Sequence, residues 1–245
     1  MSDNSRHNVR AMAWGRRGPG AGIEDVHYTE VGATGISTSS RRVLRNTYAL
    51  LGMSLAFSAG VAGVAMTMHL PAPGLLLTLI GFYGLMFLVH KTANSGAGVL
   101  SLFALTGFMG YTLGPLLNAV LSMQNGTSVV ASALGSTALA FVGLSAVALT
   151  TKRDFSFMGK FLFIGMLVAV GLGLGAIFFS IPALSLAVSG MVVMLMSGMI
   201  LMETSRIVHG GETNYVLATL SLFVTVYNLF TSLLALFGMG GSSND

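Results

Sequence analysis

From Asn46 onward, apolar residues come in seven runs, each near the ~20 residues that a helix needs to cross about 30 Å of hydrocarbon. The pattern predicts spanning helices at about 46–69, 72–90, 96–121, 128–150, 159–180, 183–205 and 214–238. Short breaks at Leu70 to Pro73, Met123 to Thr127 and Ser180 to Pro182 leave only a few residues in which to reverse. Consecutive spans are therefore expected to be antiparallel neighbours in one bundle. The first 45 residues read differently. They mix Arg, Gly, Ser and Asp without the apolar core of a signal peptide. Gly18-Pro19-Gly20 and Thr38-Ser39-Ser40 within them predict a flexible tail, because such stretches bury too little apolar area to offset ordering entropy. The organisation expected is a tail over 1–45, a seven-helix domain over 46–238 and a short polar tail over 239–245.

Charge fixes the expected orientation. The chain has 12 Lys and Arg. Arg6, Arg10, Arg16, Arg17, Arg41, Arg42 and Arg45 precede span one, and Lys91 follows span two. Lys152, Arg153 and Lys160 surround the connection after span four, and Arg206 follows span six. The remaining connections have none. Cytoplasmic loops accumulate Lys and Arg, so the N-terminus is expected in the cytoplasm and the C-terminus in the periplasm. The net charge of +4 then reflects topology and gives no reason to expect nucleic acid. With 53% hydrophobic and 8% charged residues, a soluble domain would have little with which to cover its surface. The absence of Cys excludes disulfides, thiolate metal sites and Cys nucleophiles.

Candidate chemistry lies in the polar residues of the spans, where ionisable groups are costly. Gly52, Gly60 and Gly63 of span one, Gly107, Gly110 and Gly114 of span three, and Gly171, Gly173 and Gly175 of span five suggest close helix approach. Pro115 after Gly114 predicts a kink near the carbonyl of Tyr111. Glu203, in the last turn of span six, is the one carboxylate within a span. Arg206, one turn further on, is its natural partner, either as an interfacial ion pair or beside a partly buried acid that senses protons or cations. His209-Gly210-Gly211-Glu212-Thr213-Asn214 follows as a tight reversal and a capping segment for span seven. His209 and Glu212 alone are too few for a closed metal site. Thr219, Ser221, Thr225, Tyr227, Asn228, Thr231 and Ser232 load span seven with polar groups, which predicts an interior position and bonds between helices. His69 and His90 fall at span ends and are expected to be solvated. No nucleophile and base occur at a recognisable spacing, so neither enzymatic activity nor a cofactor is expected. No Lys follows Lys160, which removes the Schiff base of a retinal protein.

Three segments together resemble the bacterial branch of the Bax inhibitor-1 family: Thr106-Gly107-Phe108-Met109-Gly110-Tyr111-Thr112-Leu113-Gly114-Pro115, Glu203 to Tyr215, and Tyr227-Asn228-Leu229-Phe230 with Ser232-Leu233-Leu234. The likeness covers about 46–238 and implies six helices around a central seventh. It also implies two functions. One is association in the bacterial inner membrane with the membrane-anchored protease FtsH, which the protein modulates and which engages it through the cytoplasmic tail. The other is a pH-sensitive leak of calcium or other cations, controlled by acids on helices six and seven. Glu203 stands at the first of these acids, but Thr225, three residues before Asn228, stands at the second. A lone carboxylate lacks the shared proton of a paired site, and with hydroxyls it falls short of the six to eight oxygens that calcium prefers. The protease reading is therefore favoured over the leak, with a passive membrane scaffold as a third possibility.

Overall fold

The structure, a computed structural model, describes residues 37–151 and 153–240. The tail up to residue 36, Lys152 and the last five residues lie outside the described residues. Seven helices follow in order: α1 Thr38–Thr67, α2 Gly74–Thr92, α3 Ala97–Leu121, α4 Gly126–Thr150, α5 Gly159–Phe178, α6 Pro182–Val208 and α7 Tyr215–Gly240. A 3-10 turn, Ser156–Met158, leads into α5. Among the described residues there is no strand, and all seven helices are long and apolar enough to span a membrane. Outward-facing Leu76, Ile80, Phe87, Phe163 and Phe178 are each exposed by at least 60%, which only a hydrocarbon surrounding makes favourable.

The first helix starts earlier than the apolar pattern predicts. Thr38 to Arg45, expected in the flexible tail, form two turns of α1. Ser37 caps them, its hydroxyl accepting the Ser40 N–H at 3.0 Å, and this satisfies a donor that hydrophobicity alone does not register. Likewise α7 continues to Gly240, past the predicted start of the C-terminal tail.

Packing is closest between α1 and α3. A side chain on Gly110 would collide with the Ser58 carbonyl, and one on Gly114 would meet the Ala65 methyl at 2.6 Å. This seam shows the close approach expected of small residues in lipid. The glycines of span one do not share in it, because a methyl group placed on Gly52, Gly60 or Gly63 would meet nothing within 4 Å, and the same holds for Gly171 and Gly175 of α5. Helix α3 runs unbroken through Pro115, from Ala97 to Leu121.

Helix α7 is the most buried span and packs against α1, α2, α3, α4 and α6. Helix α5 reaches the bundle through α6 and the 3-10 turn. The polar stripe of α7 is largely satisfied within the helix. Thr225, Asn228 and Thr231 bond back to the carbonyls of Ser221, Val224 and Tyr227. Thr219 and Tyr227 reach other helices, at the Thr47 carbonyl and the Thr112 hydroxyl. The expectation of bonds between helices thus holds for a minority of the stripe.

Three helices end in the same way. After α1, α5 and α6, the residues His69, Ser180 and Gly210 adopt φ of 47°, 50° and 76°. In each case this residue and the next close their N–H groups onto carbonyls of the last turn, as Gly210 N–H to Ile207 O and Gly211 N–H to Arg206 O do after α6. Only the α6 end uses Gly, the residue that takes this conformation without a steric cost.

Candidate functional site at the end of helix α6

Helix α6 ends in a connected polar system. Glu203 is 4% exposed, and Thr204 and Ser205 are fully buried. Both Glu203 carboxylate oxygens lie 3.3 Å from Nη1 of Arg206, one turn on, while Arg206 Nη2 stands 3.9 Å from Oε2 of Glu212. The arginine therefore links an acid inside the bundle to an acid of the following loop. Pairing and burial, alternatives in the sequence, occur together at Glu203.

The loop is built by backbone geometry. With Gly210 closing α6, Glu212 is turned so that its Oε1 accepts the Asn214 N–H at 2.8 Å. Asn214 Oδ1 then accepts the N–H groups of Val216 and Leu217 at 2.9 and 3.2 Å, which caps α7. Its Nδ2 donates to Ala93 O at 3.1 Å and to Asn94 Oδ1 at 2.8 Å, tying the loop to the α2–α3 connection. One side chain thus starts α7 and fixes it to another hairpin.

A second set of contacts surrounds Ser205. Its hydroxyl accepts the Phe155 N–H at 3.0 Å, anchoring the α4–α5 connection. His209 Nδ1 donates to the Ser205 carbonyl at 2.9 Å. Nearby, the hydroxyl and N–H of Ser156 hold the Asp154 carboxyl below the usual carboxylate range, with His209 adding a smaller effect of the same sign. Thr204 pairs with the Tyr48 hydroxyl at 3.2 Å, placing the start of α1 beside Glu203.

Thr225 and Asn228 are engaged within their own helix. Thr225 is buried with its hydroxyl on the Ser221 carbonyl, and Asn228 is engaged with Val224. Both bonds stay within α7. His90 donates to the Met86 carbonyl within its own helix. Among the described residues, no group of three His, Asp or Glu could hold a metal ion. A polar cleft of about 550 Å³ opens between the start of α1 and the α6–α7 loop, bordered by Ser37, Arg42, His209 and Glu212. Phe155, Asn94 and Tyr48 have no signal in the sequence, because their partners lie 50 to 156 residues away.

The sequence profile of the family described as "Inhibitor of apoptosis-promoting Bax1" matches residues 40–242, all seven helices included. The chain belongs to the Bax inhibitor-1 family. Among bacterial relatives it is similar to the Escherichia coli K12 protein named "Modulator of FtsH protease YccA", with 54% identity over 200 residues, 82% of this chain and 91% of that one. The E. coli O6:H1 relative, equally similar, is named "Inner membrane protein YccA". An uncharacterised Pseudomonas aeruginosa protein is 54% identical over 202 residues, again 82% of this chain and 91% of its own length. In this family member the Gly-rich seam of α3 joins α1, and the His209 to Tyr215 loop joins α6, α7 and the α2–α3 connection.

Proposed function

We propose that this protein resides in the bacterial inner membrane, associates with an FtsH-type protease and modulates its action on other membrane proteins. The observation that carries the reading is the 54% identity, over nine-tenths of its length, to a relative named for modulating FtsH. Orientation follows from charge. Arg41, Arg42 and Arg45 open α1, Lys91 closes α2, Arg153 and Lys160 flank the turn before α5, and Arg206 closes α6, so in an up-and-down bundle all lie at one end. By the positive-inside rule that end faces the cytoplasm. Helix α1 begins there, beside the cleft bordered by Ser37, Arg42, His209 and Glu212. The protease, in this reading, engages the chain through the cytoplasmic tail.

The engagement of Glu203 with Arg206 also favours this reading over a cation leak. A buried carboxylate already held by a guanidinium, with Thr225 in place of a second acid, offers a cation few free oxygens. Pulse-chase of the full chain beside a form lacking residues 2–36 tests the tail. The deletion stops before Ser37 so that the cap of α1 remains. Slower turnover of the shortened form in cells with FtsH is expected. Equal turnover would refute engagement through the tail.

A further inference from the structure

The backbones of α1 and α4 stand apart. Between them is a crevice of about 490 Å³, walled by α1 from Leu55 to Met66 and by α4 from Val130 to Val142, and floored by α7 from Phe223 to Phe230. It opens sideways past Leu134 and Val142, which are 54% and 65% exposed, towards the space that hydrocarbon fills.

The lining asks nothing polar of an occupant. Of the three hydroxyls on it, Thr137 donates to Ala133 O at 2.7 Å and Tyr227 is paired with Thr112 at 2.9 Å, while Ser58 is only 4% exposed. An apolar cavity of this kind holds no stable water, since water needs two to four polar partners. Its occupant must be apolar.

Shape narrows the choice further. Leu55 to Met66 spans roughly 17 Å at 1.5 Å per residue, so about 490 Å³ leaves a mean cross-section of about 30 Å². A helix about 10 Å across needs roughly 80 Å², so a neighbouring helix would enter this half-open crevice by its side chains alone, whereas a polymethylene chain enters whole. A single polymethylene chain, whose carbons contact neighbours at ~4 Å, has a width that matches.

We infer that the crevice binds one acyl chain of a bilayer phospholipid, from the leaflet on the side of Pro71 and Gln124. The chain lies along α7 and keeps α1 and α4 apart. This site does not rest on the protease reading; its inner edge meets the Glu203 system where Phe141 packs on Tyr48, with ring centroids 5.7 Å apart.

Native mass spectrometry of the full-length protein after extensive detergent exchange tests it. The wild type is expected to retain one phospholipid per chain. Ala59→Phe with Ala138→Phe, which fills the crevice from both walls, is expected to lower that retention about tenfold or more. Leu139→Phe, on the lipid-facing side of α4 and 77% exposed, should leave it unchanged. Absence of retained lipid in the wild type, or equal retention in a folded filled variant, overturns the inference. Should the filled variant not fold, photolabelling of the wild type decides. A phospholipid with a mid-chain diazirine, illuminated after the surrounding lipid has been stripped, should mark 134–142 and 223–230. Label confined to outward residues such as Phe87 and Phe163 would overturn the site.

Discussion

Arg206→Met is expected to destabilise this protein more than Glu203→Gln does, although Glu203 is the buried member of the pair. The Glu203 side chain is 5% exposed and its oxygens meet the guanidinium at 3.3 Å, whereas Arg206 is 36% exposed and has Glu212 as a second partner at 3.9 Å. Removing the arginine strands a carboxylate inside the bundle, which costs about 3–5 kcal/mol. Glu203→Gln keeps an oxygen that accepts from Arg206 and loses mainly the charge assistance, about 1 kcal/mol. Arg206 then still has water and Glu212. Removing both should cost less than the two singles together, with a coupling of about 2 kcal/mol. Reversible unfolding in mixed micelles of the wild type, both singles and the double supplies the four free energies. Equal costs for the singles, or additive behaviour of the double, would refute a buried paired acid.

Three further outcomes follow from the same geometry. Asn214→Ala removes the cap of α7 and two bonds to the α2–α3 connection, so a loss of about 2–3 kcal/mol is expected by the same unfolding measurement. Asn214→Asp, which keeps the cap oxygen, should lose about half as much. Ser180→Gly relieves a left-handed backbone at the end of α5 and should raise stability by about 1 kcal/mol, read as an upward shift in Tm. The Asp154 carboxyl is depressed in the folded chain, so its stabilising contribution is present above its ordinary value near ~3.9 and is lost as pH falls through the lower folded value. Protection factors over 153–159, taken relative to the intrinsic exchange rate at each pH, should therefore fall modestly as pH drops through the carboxylate range in the wild type and show no such step in Asp154→Asn.

Hydrophobic periodicity locates all seven helices, because in lipid every spanning backbone must satisfy itself and each span announces its length. What it misses lies at the ends, where a cap or a backbone closure decides. Ser37 adds two turns before Arg45 through one hydroxyl, a contribution that apolar content cannot register. The interior position of α7 is legible in its polar load, but the partners of that load are not. The hydroxyls of Thr225 and Thr231 turn back on their own helix, a choice made by rotamer and packing. At the candidate site, Glu203 and Arg206 are visible as a one-turn pair, whereas the partners of the neighbouring Thr204 and Ser205, Tyr48 and Phe155, arrive from distant elements. The crevice between α1 and α4 has no trace in the sequence at all, since it arises where two helices stand apart.

The central claim is most directly tested by the rate at which purified FtsH degrades a membrane-protein substrate in proteoliposomes, with and without this protein. The account predicts that degradation slows as the protein is added, and that the protein recovers with FtsH when the vesicles are dissolved in mild detergent. An unchanged rate at all ratios, with no FtsH recovered, would contradict it.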